Sequence, residues 1–123
     1  MAETTDLTGE SFESTVTDNE IVFVDFWASW CGPCRMFAPV YEKVAKGHDD
    51  IVFGKVDTEA EQGLAAAAQI SSIPTLMAFR DGIMVFRQAG ALGEGDFANL
   101  VDAVKGLDMD EVRAEIAKQQ ADS

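Results

Sequence analysis

Residues 21–27 read IVFVDFW: β-branched and aromatic side chains around a single carboxylate. A strand with one wet face would carry a polar residue at every second position. This run does not, so both of its faces need cover. A strand covered on both faces belongs inside a sheet with helices packed above and below it. Helices must then connect the strands, and parallel pairing follows.

The flanking sequence supplies these elements. The polar residues before Leu7 suit a short edge strand, and Gly9–Thr17 suits a weak helix with Phe12 and Val16 four apart. From about Pro33 to Lys46, Phe37, Val40, Tyr41 and Val44 form an apolar stripe at helical period. Pro33 fits the first turn, where no N–H is needed, and Pro39 predicts a kink. Ile51–Val56 reads as another strand. TEAE, from Thr58 to Glu61, has the form of a capping box and predicts a helix to about Gln69. Thr75–Phe79 and Ile83–Ala89 flank Arg80-Asp81-Gly82, a hairpin signal, because Asp and Gly tolerate the positive φ of a tight turn. Phe97, Leu100, Val101 and Val104 repeat the helical stripe over about Glu94–Lys105. The predicted order is (β)αβαβαββα, an α/β fold with an antiparallel hairpin at one edge. Beyond it, Asp108 and Glu111 make a second capping box, with Leu107, Val112 and Ile116 as a thin stripe. A single domain over residues 1–106 is therefore expected, with residues 107–123 adding a short C-terminal helix.

A chain of 123 residues suffices for one core. Its 22 acidic against 9 basic residues give a net charge of −13. So acidic a surface repels phosphate backbones and anionic bilayers, which argues against nucleic-acid and membrane partners. The polar start lacks the basic and apolar regions of a secretory signal, and no apolar run is long enough to span a bilayer. A cytoplasmic location is expected. Thiols stay reduced there, and a cysteine pair is more often redox-active or metal-binding than a permanent staple.

The only two cysteines, Cys31 and Cys34, fall where the buried strand gives way to the helix, in WCGPC. Spacing i, i+3 at a helix start brings their Cβ atoms to about 5–6 Å, within a small adjustment of bridging. The positive end of the helix dipole favours a thiolate at Cys31. Cys31 is thus expected to be the exposed nucleophile, and Cys34, one turn in, the resolving thiol. Gly32 leaves Cys31 uncrowded, and Pro33 stiffens the small loop. A structural zinc site needs four ligands, whereas this chain adds only His48, at the far end of the helix, so no metal is expected.

Asp25 interrupts the buried strand on the face of Ile21, Phe23 and Trp27. An ionised carboxylate there is costly, and burial raises its pKa toward neutrality, which suits a proton acceptor for Cys34. The bland alternative is a strand-end Asp satisfied by backbone N–H groups. Pro74, opening a strand after Ile73, is either an ordinary strand-entry proline or a cis one. GEGDFA, from Gly93 to Ala98, fits a loose dinucleotide-loop pattern, but no strand follows to complete the unit.

Together, VDFWASWCGPCRMFAP, VDTE, SIPTLMAFRDG and AGAL resemble the thioredoxin family in order and spacing, over about Leu7–Lys105. The resemblance implies the thioredoxin fold, a central mixed sheet of four or five strands flanked by helices. It implies a protein-disulfide reductase with Cys31 attacking, Cys34 resolving and Asp25 as the buried acid. Pro74 matches a cis-proline beside the active site. Trp30, Gly32, Pro33, Ile73, Thr75, Gly90 and Ala91 match an apolar rim on which disulfide-containing clients dock, an extended segment pairing beside Pro74. It further implies no bound cofactor beyond the Cys31–Cys34 disulfide itself, a monomer, and recycling by thioredoxin reductase, an external NADPH-dependent enzyme. Many members carry a lysine near the buried acid. Counting places Phe53 at that position, with Lys55 two residues on along the same face. Two other readings use the same residues: a binding module whose redox state is incidental, and an oxidase or isomerase running the exchange in reverse.

Overall fold

The computed structural model describes residues 3–122; Met1 and Ala2 of the polar start and Ser123 of the predicted extension lie outside the described residues. The elements run β1 (Thr4–Asp6), α1 (Phe12–Asp18), β2 (Ile21–Trp27), α2 (Gly32–Ala45), β3 (Val52–Asp57), α3 (Gln62–Ala67), β4 (Thr75–Arg80), β5 (Ile83–Ala89), α4 (Glu94–Lys105) and α5 (Met109–Asp122). They form one five-stranded sheet in the order β1-β3-β2-β4-β5. β1, β3 and β2 are parallel, while β4 and β5 run antiparallel.

The doubly apolar character of β2 has a direct structural counterpart. Ile21 and Phe23 enter one core with Phe37, Tyr41, Phe97 and Val101 of α2 and α4. Val22, Val24 and Phe26 enter a second core with Val16 of α1 and with Leu64 and Ile70 around α3. α2 and α4 therefore cover one face and α1 and α3 the other. The first core is aromatic: the Phe97 ring lies 5.4–6.3 Å from those of Phe37, Tyr41, Phe23 and Phe53. Offset and edge contacts of this kind each add about 1 kcal/mol beyond area burial.

The hairpin turn takes φ 53° at Asp81 and 80° at Gly82, the left-handed pair a two-residue turn demands. A register shift at Ala78/Phe79 bends the β4–β5 ribbon. α2 runs unbroken through Pro39 to Ala45.

Two expectations need correction. α1 begins only at Phe12, because Thr8 and Ser11 exchange hydrogen bonds that hold the preceding residues in a turn. The capping box at Thr58–Glu61 does not form. The Thr58 hydroxyl donates instead to Trp27 O at 3.0 Å, and the Glu61 carboxylate accepts Gly9 N–H at 2.8 Å. α3 consequently starts at Gln62 without a side-chain cap and ends at Ala67. The C-terminal helix forms where expected: α5 has 14 residues. Its Asp108 cap does form, Oδ1 accepting Glu111 N–H at 3.2 Å.

α5 lies at the hairpin pole, opposite the cysteines. Arg113 pairs with Asp81 of the turn at 2.7 Å. Beside it the buried Arg80 sends Nη1 to the carbonyls of Val104, Lys105 and Leu107, at 2.7, 3.2 and 3.4 Å. One guanidinium thus serves the carbonyl end of α4, where Val104 O also accepts the Leu107 N–H.

Candidate active site

β2 ends at Trp27, and the chain turns through Ala28–Trp30 into α2. Cys31 is the N-cap of that helix, with extended dihedrals (φ −87°, ψ 113°), and its sulfur accepts Cys34 N–H at 3.2 Å. The two cysteines form a disulfide with Cα atoms 5.2 Å apart. The i, i+3 spacing at the helix start is what makes this bridge possible.

Cys31 was expected to be the exposed member of the pair. In this oxidised state it is 4% exposed and Cys34 3%, so exposure does not separate them. Ala28, Trp27 and Ile73 pack with the cysteine pair, and Ile73 O lies 3.7 Å from Cys31 Sγ. The asymmetry is electrostatic: the first-turn N–H points at Cys31 Sγ, and when the pair is reduced that favours a thiolate there.

Asp25 is 1% exposed. Neither carboxylate oxygen has a hydrogen-bond partner among the described residues, so the backbone-satisfied alternative does not hold. Burial pushes its pKa from 3.8 up to about 7, and the charge of Lys55 works against that rise. Lys55 stands directly across from Asp25 in the β2–β3 register. This corrects the count that put Phe53 beside the acid: Phe53 faces Phe23 and stacks on it at 5.5 Å. Lys55 Nζ also sits 5.1 Å from the centroid of Trp27.

Asp25, Lys55, Trp27, Ala38 and Cys34 line a cavity of about 100 Å³ between β2, β3 and α2. That volume admits water. The acid and the inner cysteine therefore share one small chamber. Tyr41 lies in the adjoining core, its phenol donating to Gly54 O at 2.7 Å. Burial, with the Asp25 charge adding to it, holds that phenol well above its ordinary pKa, so it stays a donor.

The residues expected to form the rim differ in exposure, and Ile73 is the one packed against the cysteine pair. Trp30 is 65% exposed, and Pro33, Gly90 and Ala91 are exposed, while Gly32 and Ile73 are half-buried. Pro74 and Thr75 are buried, so they shape the rim through backbone. The Thr75 hydroxyl donates to Ser72 O at 2.5 Å. The Ile73–Pro74 peptide is cis. Gly90 takes φ 105°, open to glycine alone without strain, and its N–H bonds Pro74 O at 2.8 Å. The loop before Pro74 is held by Arg87 of β5, whose guanidinium donates to Ala68 O and Gln69 O, both at 2.7 Å. Sequence reading missed Arg87 because its partners are backbone carbonyls at the end of a distant helix. It also missed Glu59, whose carboxylate accepts the indole N–H of Trp30. The acid-rich DTEAE stretch was the available signal there.

His48 lies far from this site, half-buried against Phe53 and 3.5 Å from Lys105 Nζ. Among the described residues no group of three or more His, Cys, Asp or Glu could hold a metal, and no helix is long and apolar enough to cross a membrane.

Known proteins resemble this chain in sequence and in fold. The thioredoxin family model matches residues 3–103. The chain is 57% identical to a putative thioredoxin 2 of Streptomyces coelicolor over 121 residues, covering 98% of this chain and 90% of that protein. It is 44% identical to thioredoxin 1 of Synechococcus elongatus over 98 residues, 78% of this chain and 92% of the relative. A mutant thioredoxin from Halobacterium salinarum superposes with a TM-score of 0.78 at 32% identity, over 87% of this chain and 96% of that one. The matched segment holds the whole sheet and the bridged cysteine pair, the working group of a protein-disulfide oxidoreductase, and the chain belongs to the thioredoxin family.

Proposed function

We propose that the chain reduces client disulfides with Cys31 as nucleophile, Cys34 as resolving thiol and Asp25 as the proton acceptor between them. The Cys31 thiolate attacks one sulfur of a client disulfide, forming a mixed disulfide and expelling a client thiolate. Asp25, half ionised near neutral pH, takes the Cys34 proton through a water in the shared cavity. The Cys34 thiolate then attacks Cys31 Sγ, and the second client thiolate leaves and is protonated. The client gains two electrons and two protons, and the chain is left with the disulfide observed. The single observation that carries this reading is the cavity that joins a carboxylate of raised pKa to Cys34 alone.

Clients dock on Trp30, Gly32, Pro33, Ile73, Gly90 and Ala91, with the backbone around Pro74 and Thr75 offering a strand-like edge. The chain needs no bound cofactor. It works as a cytoplasmic monomer, over a functional domain of residues 1–106, and an external NADPH-dependent reductase restores the dithiol. Replacing Cys34 with Ser tests the order of events. The variant should accumulate stoichiometric mixed disulfide through Cys31, visible as a mass adduct after acid quench. An adduct on Cys34 in the Cys31→Ser variant, with none in Cys34→Ser, would reverse the assignment.

A further inference from the structure

A groove of about 380 Å³ leads away from the disulfide between Trp30 and α3, over Thr58, Gln62, Ala66, Ser72 and Ile73. None of its lining residues is charged. One carboxylate stands at its Trp30 edge. Glu59 accepts the Trp30 indole N–H, its own backbone N–H bonds Asp57 Oδ1 at 2.9 Å, and its carbonyl accepts Gln62 Nε2 at 3.2 Å. The neighbouring acids are turned to other uses. Asp57 Oδ1 is taken by two backbone N–H groups and Glu61 by Gly9. Glu59 is exposed, and no lysine or arginine pairs with it among the described residues. On the other flank the Arg35 guanidinium folds back onto Ser29 O at 3.2 Å.

We propose that Glu59 reads charge on the client, so that the site prefers an extended segment carrying a lysine or arginine close to the attacked cysteine. The proposal rests on the docking reading above and adds a partner chemistry to it. Trp30 adjoins Cys31, so the carboxylate lies within about 10 Å of the nucleophile's backbone. An extended client advances about 3.3 Å per residue. A basic side chain one to three residues from the client cysteine therefore reaches it. The carboxylate is already held by its one bond to the Trp30 indole, so little ordering cost remains when the pair forms. The pair stays wet, so its contribution is that of an exposed salt bridge, about two- to fivefold in rate constant. Salt should weaken it.

The test uses the pre-reduced protein in single turnover with two disulfide-bonded peptides, identical except for Lys or Glu two residues from the attacked cysteine. Peptide thiol is measured by mass after acid quench. At low ionic strength the Lys peptide should react about fivefold faster. The ratio should collapse toward one in Glu59→Gln, which keeps an acceptor for the indole. It should persist in Glu115→Gln, which removes the same charge from α5 at the opposite pole and so controls for the net charge of the whole chain. A ratio near one in the parent protein, or one that falls equally in both variants, overturns the preference. Failure to reduce either peptide overturns instead the reductase reading beneath it.

Discussion

Removing the Asp25 carboxylate should make the protein more stable, and only above a certain pH. In the folded chain the acid titrates at about 7 instead of 3.8, chiefly through burial. At about 1.36 kcal/mol per pH unit, the ionised form costs the fold about 4 kcal/mol. The folded state therefore binds more protons than the unfolded state between those two values. Stability falls as pH rises through that window. The penalty is absent below about pH 3.8 and complete above about pH 7. An Asp25→Ala substitution abolishes it, at the expense of a slightly larger cavity where one of about 100 Å³ already exists. The expected gain is about 2–4 kcal/mol at pH 8, shrinking to nothing or reversing at pH 3.5. Urea unfolding of the oxidised protein at several pH values measures it, with the slope m unchanged between parent and variant. A difference that stays flat across the window, or a variant less stable at pH 8, would refute the claim that this carboxylate is desolvated and unpaired.

Two further outcomes concern the hairpin pole. Replacing Arg80 with Met takes the guanidinium from three carbonyls at the end of α4, of which Val104 O keeps a backbone N–H, so urea unfolding should show a loss of about 2–3 kcal/mol. Arg80→Lys, a point charge without the fork, should recover only part of it. Deleting residues 108–123 removes α5, with its exposed Arg113–Asp81 pair, worth less than about 1 kcal/mol, and its buried Met109, worth about 2 kcal/mol. The melting temperature should drop modestly while the peptide-reduction rate constant holds; a lost rate in a folded truncation would place the tail in the chemistry.

The elements most legible in sequence are those whose burial is total. IVFVDFW reads as a central strand because its odd and even residues fill two separate cores. Asp81-Gly82 reads as a hairpin because few residues accept two successive positive φ angles. TEAE failed because a capping box is a local proposal open to tertiary competition. Trp27 O and Gly9 N–H offered Thr58 and Glu61 better partners across the fold. Lys55 was placed on the right face, but its alignment with Asp25 depends on a β2–β3 register that no local pattern encodes. Arg80 and Arg87 were invisible as anchors for a related reason. Each serves carbonyls at a helix end 18 or more residues away, and a backbone carbonyl leaves no mark in the sequence.

The two poles of β2 divide the work of the molecule. At its C-terminal end lie the buried acid, the cavity and the disulfide, and there burial without a hydrogen-bond partner raises the Asp25 pKa to about 7. At its N-terminal end, beside Ile21 and the hairpin turn, Arg80 gathers three carbonyls and Arg113 ties α5 to Asp81. Between them runs the aromatic core of Phe23, Phe37, Tyr41, Phe53 and Phe97. Repairing the weak pole by removing Asp25 should therefore raise stability and slow the second exchange step in the same variant. Strengthening the hairpin pole should raise stability and leave the exchange untouched. The two poles share no hydrogen bond or ion pair among the described residues, so the stability changes from the two ends should add, and only the change at the acid should reach the exchange.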